Sequence, residues 1–363
     1  MKKILLVTVF ILILLISAFS GCQDFLPDLS TTYEAEATKI RYDITYGYRI
    51  NITGSGTYRI LYRCDLPEVV IGTIGYDLLY NQDYRYEPLG NNQFIRWNIS
   101  GNDNRNLEVG IRASIEAESY LVPDLNGINA STIEEIRNNY PDIFENYTLA
   151  QSNETTVLID PTHPAIKSVV SSVLNQAKTN NSFELAKSFF TWLKRNTEYK
   201  VHVIKGNVQP ASETFYKKTG DCDDLSFLYI SICRAAGIPS RFIRGYLLSE
   251  DNGQITATAH AWTEVFVGEA IGNEGWIPVE CACCTPSIES DINQNFGLEN
   301  AFHLRLFIDE GNNESLITSL SGILYSYSLG RNIDIQSFNE IENYAEIESK
   351  NLKVSGNNIR SYQ

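Results

Sequence analysis

The sequence predicts an α+β protein: a helix bearing a cysteine packed on an antiparallel sheet, preceded by an all-β sandwich-like module. Three observations carry this. Strict two-residue alternation dominates the first third of the chain. Helical stripes begin only after residue 130. Three β-rich runs then follow one capped helix, in the order expected of a helix packed on a sheet.

The β module spans residues 32–120. Ile40, Tyr42, Ile44, Tyr46, Tyr48, Ile50 and Ile52 fall at every second position, with polar residues between. Gly54-Ser-Gly56 turns the chain into Tyr58, Ile60, Tyr62 and Cys64, a hairpin that places Cys64 on the inward face. Leu107, Val109, Ile111, Ala113 and Ile115 repeat the pattern.

Residues 121–160 form a linker with one short helix, for which Ser131-Thr-Ile-Glu134 reads as a capping box. A second unit spans 161–310. Pro161 to Ala177 is an amphipathic helix, and Ser182 caps another whose Ala186, Phe189, Phe190 and Leu193 form one stripe. Asp221 as N-cap and Gly237 as terminator bracket a third. Arg241–Leu248 and Ala259–Val267 are strands joined by Asp251-Asn-Gly-Gln, a hairpin turn. Trp276 to Val279 is the next strand. In the extension 311–363, Ser337-Phe-Asn-Glu340 precedes Ile341, Tyr344 and Ile347, which predicts a C-terminal helix.

The functional signal lies in Thr219-Gly-Asp-Cys222-Asp-Asp, Ala259-His260-Ala-Trp-Thr-Glu and Trp276-Ile-Pro-Val-Glu280. Each piece sits at the edge of an element. In the first turn of its helix, Cys222 meets free N–H groups that favour a thiolate. The flanking aspartates oppose this, so a paired imidazolium has to supply the rest. His260 and Glu280 lie on successive strands, close enough for the carboxylate to hold one imidazole nitrogen and leave the other facing the thiol. That is the order nucleophile, general base, orienting carboxylate.

These pieces, with Cys233-Arg-Ala-Ala-Gly-Ile-Pro-Ser-Arg241 and Gly245-Tyr246, resemble the transglutaminase-like superfamily, a papain-related thiol fold of acyltransferases and peptidases. The resemblance covers roughly residues 160–305. It implies Cys222 as nucleophile, His260 as base and Glu280 as third member. The family usually has Asp there, commonly followed by Pro-Thr; here Glu280 is followed by Cys-Ala-Cys-Cys. It also points to Tyr199, beside the backbone N–H of Cys222, as an oxyanion donor. The implied activity is attack on an amide or isopeptide carbonyl of a protein or peptide substrate, with no cofactor and no metal. The alternative is a surface adhesion or assembly module that retains the fold with little activity.

Composition narrows the setting. A formal net charge of −15 argues against nucleic-acid binding, which relies on clustered Lys and Arg. Lys2-Lys3 and the apolar run Ile4 to Phe19, ending in Phe19-Ser-Gly-Cys22, read as a signal segment over residues 1–22 with Cys22 as the lipidated mature residue. An uncleaved membrane anchor and simple secretion are the alternatives. All three place the chain outside the cytoplasm, with cell-envelope material as a candidate substrate source. Cys281, Cys283 and Cys284 beside Glu280 allow a disulfide, simple packing or a metal; a disulfide within the cluster or to Cys233 is the expected use.

Overall fold

The structure is a computed structural model that describes residues 30–67, 73–90, 92–202, 208–283, 285–320, 322–356 and 358–363. The expected signal segment, Cys22 and Cys284 lie outside the described residues. No helix among the described residues is long and apolar enough to cross a membrane.

The alternation in the first third folds as expected into two facing sheets. One runs in the order Arg360–Tyr362, Arg331–Val354, Thr31–Gly54, Arg105–Glu118, Thr73–Leu78. The other runs Leu324–Tyr327, Tyr58–Asp65, Asn92–Gly101, Tyr84–Leu89. Ile40, Tyr42, Ile44, Ile60, Cys64, Val109 and Ile111 point between them and are buried. Trp97 stacks on Tyr62 with ring centroids 5.5 Å apart. Gly47 and Gly110 pair across the central strands because the backbones approach so closely that a Cβ on either would lie 2.1 Å from a carbonyl oxygen of the other strand.

The predicted C-terminal helix is not there. Residues Arg331–Val354 form a 24-residue strand antiparallel to Thr31–Gly54 along nearly its whole length. The three-residue spacing of Ile341, Tyr344 and Ile347 imitates a helical face, but it arises from extra residues in the ladder. Glu342 pairs Asp43 while Ala345 pairs Arg41, so a bulge at Asn343, where φ is +53°, skips the strand's phase by one. The sandwich is therefore closed by the end of the chain.

Two other boundaries shift for local reasons. The cap of the helix Ile133–Asn139 is Thr132, whose Oγ1 accepts from the Glu135 N–H while Glu135 accepts from the Thr132 N–H. The Ser131 backbone is already committed, donating to Val267 and accepting from Ser182. The helix Ser182–Asn196 is capped by Asn181, whose Oδ1 accepts from the Glu184 N–H at 3.0 Å.

In the second unit, the helices Pro164–Ala177 and Ser182–Asn196 and the helix Cys222–Ala236 share one core with a four-stranded antiparallel sheet. Its order is Trp276–Val279, Gln254–Phe266, Ser240–Asp251, His303–Ile308. Leu225, Phe227, Leu228 and Ile232 from the Cys helix meet Phe242, Val265 and Ile277 from the sheet. The hairpin turn has Asn252 and Gly253 at positive φ, as that sequence dictates. At its far end the same sheet joins the sandwich. Leu248, Ala257, Ala301, Leu304 and Leu306 belong to the sandwich core, and the Asn92 amide exchanges two 2.8 Å hydrogen bonds with the Ile308 backbone.

Arg360, on the last strand, is buried and donates to the carbonyls of Val122, Asn293 and Gly297. It ties the C-terminus to the segment that follows Glu280. Arg360→Met strips the Val122 and Asn293 carbonyls of this donor, which should cost about 2–4 kcal/mol. A chemical denaturation curve should show that loss as a lowered midpoint; an unchanged midpoint would contradict the role assigned to Arg360.

Candidate active site

Cys222 occupies the first position of its helix, directly after the N-cap Asp221. The helix start is locked by Asp224, a buried carboxylate. It accepts from the Asp221 N–H (3.1 Å), the Gln209 N–H (2.7 Å) and the Gln209 side chain (2.8 Å), and it meets His202 Nε2 at 2.5 Å. Gln209 also donates to the Thr219 carbonyl. Neither His202 nor Gln209 is conspicuous in the sequence, because both lie in loop segments without periodicity.

His260 and Glu280 are placed by sheet register. His260 pairs Gly245 on one side, and Thr263 pairs Val279 on the other, so Glu280 emerges just past the strand end. His260 Nε2 lies 2.7 Å from Glu280 Oε2. The second oxygen, Oε1, accepts from the Ala282 N–H at 2.7 Å. The next residue on that strand, Ala261, brings its backbone amide to the Cys222 sulfur.

A residue the sequence reading missed completes the cluster. His303 Nε2 lies 3.2 Å from the same Glu280 Oε2, and His303 Nδ1 lies 2.8 Å from Asn300 Oδ1. Its only sequence signal is rarity, since the chain has four histidines. Trp262 packs against both rings, stacked 5.9 Å from His260 and edge-on 4.9 Å from His303. The Trp262 indole donates to Glu299, which binds Arg305; Arg305 binds Glu264, and Glu264 binds Arg241. Burial raises the carboxyl of Glu264, but the two guanidiniums overcome this and hold it down to about 2. The imidazoles thus rest on a fixed ionic scaffold.

The electrostatics of the three members differ. For Glu280, burial favours the neutral acid, yet His260 and His303 together hold it well below the usual carboxylate range. For His260, burial favours the neutral ring, and Glu280 outweighs it to raise the pKa. The Cys222 thiol is pushed up by burial first and by Asp223 and Asp221 next, against an Ala261 backbone amide that favours the thiolate. The helix start alone therefore does not favour the thiolate, in line with the opposition expected from the flanking aspartates.

Tyr199 pairs with Gly220 through a two-residue parallel ladder, which sets it beside the Cys222 turn. Its hydroxyl is pushed up to about 12 by burial and by Cys222 and Asp221, so it stays a donor at neutral pH. Tyr199, His260, Glu280 and His303 line a cleft of about 350 Å³, with Leu247, Thr258 and Leu298 among its walls.

Of the two bridges expected for the cysteine cluster, the one to Cys233 does not form: Cys64, Cys222, Cys233 and Cys281 are free thiols, and Cys281 is buried in the core beside Cys233. A bridge within the cluster that uses Cys284 falls outside the described residues. Two groups among the described residues bring three metal-ligand atoms together, His260 with Glu280 and His303, and His202 with Asp221 and Asp224. Hydrogen bonds already engage the Nε2 atoms and the Glu280 and Asp224 carboxylates of both groups.

Residues 168–281, which contain Cys222, His260 and Glu280, match the sequence model of the transglutaminase-like superfamily core. The chain carries a transglutaminase-like domain. A stretch of 76 residues is 36% identical to the Bacillus subtilis (strain 168) protein described as uncharacterized protein YebA, covering 18% of this chain. That match spans 10% of the relative's own length. Among solved structures, a candidate cysteine protease of Cytophaga hutchinsonii aligns over 92% of this chain and 100% of its own, at 14% identity and a TM-score of 0.49. The periplasmic domain of TgpA from Pseudomonas aeruginosa, bound to ethylmercury, aligns over 68% of this chain and 95% of its own, at 13% identity and a TM-score of 0.33. Red sea bream transglutaminase aligns over 85% and 77%, at 8% identity and 0.30.

Glu280→Gln tests the orienting carboxylate. Removing the charge leaves burial opposed only by the more weakly acting Asp223 at His260, so its pKa should fall and the acid limb of the pH–rate profile should move to lower pH. The plateau should drop about ten- to a hundredfold for one lost charged hydrogen bond. Glu280→Asp should also lose rate, because a side chain one methylene shorter cannot reach the Ala282 N–H and both imidazoles together. A full-rate Asp variant with an unmoved limb would contradict this geometry.

Proposed function

We propose that the chain is an extracytoplasmic thiol enzyme acting on amide or isopeptide bonds of protein or peptide substrates. The observation that carries the reading is the 2.7 Å His260–Glu280 pair, on adjacent strands beside a cysteine at a helix start. Cys222 attacks the carbonyl carbon as His260 takes the thiol proton, and Glu280 holds the imidazolium that forms. The backbone N–H of Cys222 and the Tyr199 hydroxyl donate to the oxyanion. His260 returns the proton to the leaving amine, and the acyl-thioester passes to water.

Hydrolysis is favoured over transfer to an amine because Tyr199, at the wall of the cleft, is 42% exposed. Selective transfer needs the thioester shielded from water. The extracytoplasmic setting and membrane attachment through Cys22 rest on the basic, apolar and small-residue sequence of the first 22 residues.

Cys222→Ala should abolish turnover of peptide or isopeptide bonds while leaving the circular dichroism spectrum unchanged, and His260→Ala should come close to it. Retention of full activity by either variant would refute the mechanism. Metabolic lipid labelling should depend on Cys22; a mature chain still carrying residues 1–19 would replace lipidation by an uncleaved anchor.

A further inference from the structure

We propose that His303 is a positioning residue of this site, the donor that makes a glutamate serviceable where the family pattern has an aspartate. The inference rests on the thiol-enzyme reading. It starts from the acceptors around the ring. Asn300 Oδ1 accepts from the Phe302 N–H at 3.2 Å, which fixes which end of that amide faces His303. The His303 Nδ1–H therefore donates to Asn300. On the ring's other side, Nε2 faces a carboxylate oxygen that is an acceptor only. Both nitrogens must carry hydrogen for both contacts to be favourable, which makes His303 a second cation against Glu280.

The consequence for Glu280 is mechanical and electrostatic. Its longer side chain places Oε2 between two imidazoles and Oε1 on the Ala282 amide, so all three contacts restrict it. His303 also shares the carboxylate's charge with His260, whose ring centre is 5.7 Å away. A base with a sole claim on a buried carboxylate would hold its proton too strongly. The second cation keeps His260 closer to neutrality and better able to take the thiol's proton.

The fold shows why His303 is so well placed. It opens the strand His303–Ile308 opposite Leu247, next to a register shift at Gly245. A Cβ on Gly245 would lie 1.8 Å from the Leu304 carbonyl, so only glycine admits that approach. The turn Asn300–His303 is held from the sandwich, where Ser119 Oγ accepts from the Ala301 N–H at 3.0 Å and Ala301 is buried in the sandwich core. Through this turn the β module becomes part of the active-site framework.

The charged and titratable groups facing these rings are Glu280 and His260 for His303, with Glu36 from the strand Thr31–Gly54 in electrostatic reach, and Asp223 in addition for His260.

Imidazole NMR titration of the full chain tests this without any substrate, since four histidines can be assigned by single substitutions. His303→Leu should raise the His260 midpoint by about half to one pH unit, the loss of one nearby positive charge. His303→Gln should raise it equally, because it too is neutral. In turnover, His303→Leu should lower kcat about ten- to a hundredfold with KM little changed. His303→Gln, which can still donate to Glu280, should recover much of that loss. An unmoved His260 midpoint in both variants, or a kcat loss in Gln as deep as in Leu, overturns the proposal. Absence of turnover in the unmodified chain would count against the enzyme reading instead, and the titration would still decide the role of His303.

Discussion

The buried carboxylate of Glu280 is the charge on which the rest of the site depends. It sits away from water, so its ionised form persists only because three donors converge on it. Two of them are imidazoles brought in by different strands, and the third is the amide two residues along its own chain. None of these donors can move independently. The strand bearing His260 is paired on both sides, the strand bearing His303 is pinned at Gly245, and the segment after Glu280 is followed by a stretch held by Arg360. A misplaced register in any one of them would leave a buried charge unpaired. The site is therefore a strong constraint on the fold, as well as a product of it.

Cys222 is controlled differently. The helix start offers Cys222 a favourable field, but Asp221, Asp223 and Asp224 occupy the same turn, and the thiol is half-buried. Asp224 is indispensable to that turn, since it gathers four contacts that fix where the helix begins. Burial and neighbouring carboxylates thus favour the thiol over the thiolate. In the proposed mechanism the burden of activation falls on His260, and through it on Glu280 and His303. The ionic chain from Arg241 to Glu299 beneath Trp262 sets the rings' positions without touching the reacting atoms.

Much of this was legible in the residues. Ile40 to Ile52 alternate because one face is buried, and Asp221 and Gly237 mark the Cys helix because caps and left-handed terminators have few chemical solutions. The order Cys222, His260, Glu280 followed from three short motifs. What stayed hidden was long-range. Arg331–Val354 reads as a helix because bulges convert a two-residue period into a three-residue one, and only its partner strand, almost 300 residues earlier in sequence, reveals the ladder. His303 carries no local motif; its meaning comes from a glycine-dependent bulge in a neighbouring strand. Ser131-x-x-Glu134 and Thr132-x-x-Glu135 are equivalent as caps until tertiary contacts claim the Ser131 backbone.

The most direct measurement is to trap the covalent intermediate. The full chain is mixed with a reactive peptide ester, quenched in acid, digested and analysed by mass spectrometry. The mechanism predicts an acyl group on the peptide containing Cys222, labile to hydroxylamine as a thioester must be, and lost when His260 is replaced by alanine. An adduct confined to other cysteines, or acylation of Cys222 that proceeds equally without His260, would contradict it.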